Sequence, residues 1–167
     1  SCGNPNNTGD AIEMARAVGA GLDLMDQAWW APTTVVPGEP HARALVIEKS
    51  LPGGIMVDKR GERFVNEASP YVDVVNAMYA RNTPAGTCVP AYLIFDARYR
   101  QSYPVGPLLP GAQMPDLLLP GALRRGYLAK ANSLRELAAL VGIDPAGLEA
   151  TVTKVNGYAR TGKDPDF

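Results

Sequence analysis

Gly53–Tyr79, GGIMVDKRGERFVNEASPYVDVVNAMY, is the stretch whose reading decides the fold. Ile55-Met56-Val57 is an apolar run, Lys59-Arg60-Gly61-Glu62 a polar turn with a glycine, and Arg63-Phe64-Val65 a second run. That pattern predicts a hairpin. Ser69 is a good N-cap, Pro70 suits the first helical position, and Val72, Val75 and Tyr79 recur at helical spacing. Tyr71 then falls in the first turn of a helix that leaves the hairpin at a fixed angle. A helix start carries open amide donors and partial positive charge, so a phenolate there is stabilised. Two readings follow: a general base, or an aromatic that serves packing.

Outward from this stretch, the totals set bounds. The 167 residues are enough for one domain with a core, and 46% hydrophobic residues is ordinary for a globular chain. A net charge of −1 gives no electrostatic case for nucleic acid or an anionic membrane surface. No apolar run approaches the ~20 residues of a membrane span, and Ser1-Cys2-Gly3-Asn4 has no signal-peptide character. Cys2 and Cys88 fit no metal or redox spacing and read as free thiols of a reducing, cytoplasmic compartment. The chain lacks an initiator methionine and ends on the linker-like Gly162-Lys163-Asp164-Pro165-Asp166-Phe167, which reads as a piece of a longer protein. No G-x-G-x-x-G fingerprint is present.

Toward the amino end, Asn7 or Thr8 is placed to cap a helix that ends by Gly19–Gly21. Leu22–Asp26 reads as a strand leading to Trp29-Trp30, one tryptophan expected in the core and the other on a pocket wall or against a further domain. His41 sits in a Pro/Gly loop, and Ala44–Glu48 reads as a strand. Toward the carboxyl end, Pro90–Asp96 is the strongest strand, and Ala97–Tyr103 a short helical turn. The stretch from Pro104 to Gly121 is dense in proline and glycine, yet its leucines are too apolar for solvent. It reads as an ordered loop that packs on the core or overhangs a pocket. Gly126–Ala131 reads as a short strand. Ser133-Leu134-Arg135-Glu136 is a capping box with Gly142 as stop, and Asp144-Pro145 opens a last helix striped by Leu148, Val152, Val155 and Ala159. Strands and helices without βαβ alternation predict an α+β fold.

The motifs also resemble a family. G-E-R-F-V-N-E followed by S-P-Y is similar to the capping (catalytic) domain of the succinate dehydrogenase/fumarate reductase flavoprotein superfamily. Within it the sequence most resembles FAD-dependent 3-ketosteroid Δ1-dehydrogenases, where N-E-x-x-P-Y carries a catalytic tyrosine. The resemblance implies a cap fold with a small mixed sheet covered by helices. It implies residues 1–21 as the end of the FAD-binding domain or a linking helix, 22–162 as the capping domain, and 163–167 as the start of the return linker. It implies Tyr71 as the base that takes a proton from carbon 2 of a 3-ketosteroid while FAD accepts a hydride from carbon 1. N-T-G-D is similar to a superfamily segment near the flavin, which implies that Thr8, Gly9 and Asp10 face the cofactor.

Departures from the superfamily pattern are informative. Dicarboxylate-using members have H-P-T where this chain has Ala31-Pro32-Thr33, a Thr-Glu pair where it has Ile47-Glu48, and an arginine at Tyr71. A pocket stripped of those clamps would leave a dianion unpaired, and suits a flat apolar ketone instead. Trp30 and Ile47 are the substrate-facing candidates. Arg63 and Glu67 read better as turn residues that fix the approach to Tyr71 than as catalytic groups. The alternatives are a fumarate- or enoate-reductase-type flavoprotein and an inactive isolated substrate-binding domain. The partners implied are a steroid-like ketone and the remainder of the same chain.

Overall fold

A computed structural model describes residues 3–167, so Cys2 lies outside the described residues. The elements in order are α1 (Asp10–Ala17), β1 (Thr33–Thr34), β2 (Arg43–Ala44), β3 (Gly54–Val57), α2 (Tyr71–Arg81), β4 (Tyr92–Phe95), α3 (Ala97–Ser102), α4 (Gly121–Gly126), α5 (Leu134–Val141) and α6 (Pro145–Thr161). Short 3-10 turns cover Glu48–Ser50 and Asp116–Leu118. The strands form two antiparallel pairs, β1 with β2 and β3 with β4. The class is α+β, with small sheet elements and helices packed on them.

The β3–β4 ribbon is the centre. Its register pairs Gly54 with Phe95, Ile55 with Ile94, Met56 with Leu93 and Val57 with Tyr92. Successive strand residues face opposite sides, and β3 uses both. Met56 packs with Phe64, Val65, Val74 and Cys88 on the α2 side. Val57 packs with Ala138, Ile143 and Leu148 on the side of α5 and α6. A two-stranded ribbon is marginal alone, and here each face is covered by helix.

The hairpin expected from sequence forms only at its turn. Asp58 N–H donates to the Glu62 carbonyl at 3.1 Å, and Val57 and Arg63 make one isolated bridge. Beyond Arg63 the chain leaves β3, and Phe64 and Val65 turn into the core instead of forming a return strand. The Met56 N–H that a third strand would have used donates to the Glu67 carboxylate at 2.8 Å. The true partner of β3 is β4, which a local pattern cannot reveal.

Other expectations also change. Leu22–Asp26 is not a strand, and Leu24 takes a left-handed φ of 53°. Neither tryptophan is core: Trp29 is 87% exposed and Trp30 43%. The strand expected at Ala44–Glu48 shortens to Arg43–Ala44, because Glu48 begins a 3-10 turn. No strand forms at 126–131; α4 ends there instead. Of the loop leucines, Leu108 and Leu119 are buried, while Leu109, Leu117 and Leu118 are exposed.

The carboxyl-terminal helices match their local signals. The Ser133 side chain accepts from Glu136 N–H at 3.2 Å, and Gly142 closes α5 in the left-handed region at φ 75°. Asp144 caps α6 through the N–H groups of Ala146 and Gly147. Leu148 is buried, Val152 and Val155 are half-buried, and Ala159 is exposed. The tail does not run free: Asp164 accepts from Arg63 at 2.6 Å, and Asp166 from Lys154 at 2.7 Å.

Candidate functional site

Tyr71 is the first residue of α2, with Pro70 as the capping residue at ψ 143°. Ser69 is therefore one residue outside the cap position that sequence gave it, and no side chain caps this helix. The preceding turn is built locally: Ala68 N–H donates to Asn66 Oδ1 at 2.9 Å, and Ser69 N–H to the Asn66 carbonyl at 3.0 Å. Tyr71 itself is half-buried.

Three charged side chains fix this turn. Lys49, only 3% exposed, donates from Nζ to the Glu67 carbonyl at 2.8 Å, the Ser69 carbonyl at 2.7 Å and Ser50 Oγ at 3.0 Å. Ser50 Oγ donates in turn to the Glu67 carbonyl at 3.0 Å. Burial lowers the Lys49 pKa, against the pull of the Glu67 charge. The Glu67 carboxylate accepts from Met56 N–H at 2.8 Å, from Arg63 Nε at 2.9 and 3.1 Å, and from Arg63 Nη2 at 2.7 Å. Arg63 reaches Asp164 through Nη1. Burial pulls the Arg63 pKa down, but the bonds from Glu67 and Asp164 outweigh it and hold the group above the usual arginine range. Arg63 and Glu67 are thus committed to structure, each facing the other.

A second anchor lies at the far end of α2. Asp58, 1% exposed, accepts from the N–H groups of Arg60 and Glu62 through Oδ1 and from Arg81 Nε at 2.8 Å through Oδ2. Arg81 also pairs with Glu62. The 58–62 turn therefore holds the last turn of α2, while the Lys49–Glu67 cluster holds its approach.

Of the substrate-facing candidates, Ile47 is 71% exposed and stands two residues before Lys49. Trp30 lies edge-on to Tyr79 of α2, ring centroids 5.6 Å apart at 64°. Tyr79 in turn borders a mainly apolar cavity of about 380 Å³, with Ala31, Thr33, Met56, Val75 and Leu93 among its walls. Tyr71, Trp30 and Ile47 are not in that lining. A larger cavity of about 660 Å³ lies under the 111–117 loop, between Phe95, Arg100 and Leu137. It includes no residue of the central motif. The hydrogen bonds of Thr8, Gly9 and Asp10 are local: Thr8 Oγ1 donates to Asp10 Oδ1 at 2.9 Å, and the Gly9 carbonyl accepts from Ile12 and Glu13. Gly9, at φ 95°, is the capping residue of α1, in place of Asn7 or Thr8, and no α1 residue is buried.

Lys49 is the residue that sequence reasoning missed. A lone lysine inside Glu48-Lys49-Ser50 looks like a solvated turn residue. Its two carbonyl acceptors lie 18 and 20 residues away, so no local pattern marks it.

The family described as FAD binding domain matches residues 1–167. The chain is 41% identical over 165 residues to a 3-oxosteroid 1-dehydrogenase of Mycobacterium tuberculosis, covering 96% of this chain and 28% of that protein. It is 37% identical to a 4-oxocyclohexanecarboxylate 2-dehydrogenase of Sinomonas cyclohexanicum, covering 99% of this chain and 28% of that one. Among solved structures, it matches 3-ketosteroid Δ1-dehydrogenase of Sterolibacterium denitrificans, in complex with 1,4-androstadiene-3,17-dione, with a TM-score of 0.84 and 45% identity over 100% of this chain and 29% of that one. A fumarate reductase flavoprotein subunit of Lactobacillus plantarum matches at 26% identity and a TM-score of 0.52, over 72% of each chain. The chain spans 28% of the length of the curated dehydrogenases it matches. No described helix is long and apolar enough to cross a membrane.

Proposed function

The chain belongs to the FAD binding domain family of flavoproteins, and from that premise we propose that it is the substrate-side part of an FAD-dependent 3-oxosteroid 1-dehydrogenase. One observation carries the reading: the likeness to the Sterolibacterium enzyme extends over 100% of the chain at 45% identity. In this reading residues 22–162 are the capping domain, 1–21 lead in from the FAD-binding part, and 163–167 begin the return. The enzyme is cytoplasmic, a reading supported by the free, buried Cys88 thiol.

Tyr71 is the proposed base. It takes the proton from carbon 2 of the steroid A-ring, made acidic by the neighbouring 3-keto group. Its place at the first residue of α2, where the turn from Asn66 to Pro70 delivers it, supports the role. Lys49, Glu67 and Arg63 hold the turn ahead of it. Trp30 and Ile47 are the proposed apolar contacts, in line with their exposure. Ala31, Ile47 and Tyr71 leave no cationic clamp of the fumarate-reductase kind, which supports an apolar ketone over a dicarboxylate.

The amino end of α1 fits part of FAD. Thr8 and Asp10 are exposed, and a Cβ built on Gly9 would meet nothing within 4 Å, so a ligand can approach the backbone closely. Thr8, Gly9 and Asp10 would hold it there. When bound, FAD supplies the acceptor for the hydride that leaves carbon 1.

A second reading rests on the Sinomonas relative: 37% identity to an enzyme named for 4-oxocyclohexanecarboxylate favours a smaller cyclic ketone on the same machinery. The test uses the full-length protein with 4-androstenedione and an artificial electron acceptor, comparing wild type with Tyr71→Phe. A fall in kcat of roughly 10²–10⁴-fold with flavin retained is expected. Wild type that oxidises a cyclohexanone acid but no steroid selects the second reading. Wild type that reduces fumarate or another enoate, and oxidises neither ketone, overturns both.

A further inference from the structure

We propose that Lys49 is a positioning residue for Tyr71, setting the base against the substrate wall at Ile47. The inference rests on the assignment of Tyr71 as base and adds what aims it.

Lys49 is an unusual core residue. It is 3% exposed, and among the described residues no ion pair holds it. Burying an ammonium is expensive unless every proton is well placed. Here an ammonium has three donors, and three acceptors are present: the Glu67 and Ser69 carbonyls and Ser50 Oγ. Lys49 also borders the mainly apolar cavity, together with Met56 and Val75. Packing alone would favour an apolar side chain of similar length. The acceptors explain the charge. Glu67 and Ser69 are alternate residues of the turn that delivers Tyr71. Fixing both carbonyls fixes the Glu67–Ala68 and Ser69–Pro70 peptide planes, and so the entry of the chain into α2.

The other end of the clamp is equally specific. Lys49 sits within the 3-10 turn Glu48–Ser50, whose capping residue is Ile47. The same turn is held from behind by Tyr99, whose hydroxyl donates to the Glu48 carbonyl. One side chain thus joins the segment bearing the candidate substrate contact to the segment bearing the candidate base. The two segments are 24 positions apart in sequence, and β3 lies between them. A base displaced by about 1 Å loses on the order of 10²-fold in rate while substrate binding is kept. The expected signature is therefore a kcat effect without a KM effect.

The experiment uses full-length protein with bound flavin, as wild type, Lys49→Met, Lys49→Arg and Ser50→Ala, each labelled with 3-fluorotyrosine. The Tyr71 resonance is assigned by its loss in Tyr71→Phe. Lys49→Met is expected to lower kcat about 10–100-fold with KM within about threefold and flavin content unchanged, and to shift or broaden the Tyr71 fluorine signal. Lys49→Arg, which keeps donors and charge, is expected to recover part of the rate and narrow the signal. Should Lys49→Met fail to fold, Ser50→Ala decides the matter. It removes the clamp hydroxyl from a residue that is itself exposed, and a kcat loss of about two- to fivefold with a shifted Tyr71 signal is expected. An unchanged kcat and fluorine signal in the folded variants overturns the proposal. So does a loss of rate that raises KM equally and leaves the Tyr71 signal in place. If wild type oxidises no ketone, the assignment of function has failed; the fluorine spectra still show whether Lys49 holds Tyr71.

Discussion

Replacing Glu67 by leucine removes the one carboxylate that stands in for a missing strand. Glu67 accepts from Met56 N–H and from Arg63, and both side chains of that pair are only 9% exposed. The leucine leaves two debts. The Met56 N–H is buried without an acceptor, a loss of about 1–3 kcal/mol. Arg63 keeps only its bond to Asp164, whose side chain is 34% exposed, and breaking a buried pair on one side costs about 3–5 kcal/mol. The two overlap, since the same carboxylate serves both, so a local loss of roughly 3–4 kcal/mol is expected. Amide exchange on the full-length protein reads this directly, because it reports local opening without requiring a single global transition. Peptides covering 54–58 should exchange about 100-fold faster or more in Glu67→Leu. The double variant with Asp164→Asn removes both carboxylate charges from Arg63 and leaves it the Phe167 ring, 4.9 Å from the guanidinium, so the two changes should couple by at least about 0.5 kcal/mol. Exchange within threefold of wild type, or strict additivity with Asp164→Asn, refutes the account in which Glu67 replaces a strand.

Gly147→Ala tests the close approach of the 58–62 turn to α6. Helix propensity alone predicts a gain of about 1 kcal/mol, but the new Cβ would be driven into the Arg60 carbonyl, whose carbon lies 3.0 Å away; a net loss of about 1–3 kcal/mol is expected, seen as a lower Tm, and a raised Tm would sink the contact. Cys88 is 0% exposed, and burial pushes its thiol up to about 11 from an ordinary 9.0. The folded value is the higher one, so its contribution is whole below pH 9 and is lost as pH rises through 11. Two units correspond to at most about 2.7 kcal/mol. Wild type should lose stability relative to Cys88→Ala between pH 9 and 11 and react slowly with thiol reagents at pH 8; parallel pH curves would show that the thiol is accessible.

What was legible in the sequence was local. Ser133 with Gly142 and Asp144 with Pro145 are signals written within a few residues, and α5 and α6 match them. Ile55–Val57 and Tyr92–Phe95 are legible as strands because their composition is apolar and β-prone. Their pairing is not, since the turn chemistry at 59–62 points to the nearer run at 63–65. That run loses because Phe64 and Val65 gain more from the core, and Glu67 satisfies the open edge of β3. The tryptophans mislead for a related reason: hydrophobicity predicts burial, yet Trp29 and Trp30 lie on a surface that this chain does not cover by itself. The motif located Tyr71 to within one residue of its helix start. It said nothing of Lys49, whose role exists only once residues 49, 67 and 69 meet.

The tie between Arg63 and the tail bears on how this chain can be recombined with others. A chimera spliced just after Gly162, where α6 ends, would appear to respect the helix boundary. It would nevertheless sever Asp164 from Arg63 and Asp166 from Lys154. A donor sequence entering at that seam must bring its own acidic residues at those two positions, or the transplanted segment arrives with Arg63 held by Glu67 alone among the acidic groups. The workable junction lies beyond Asp166.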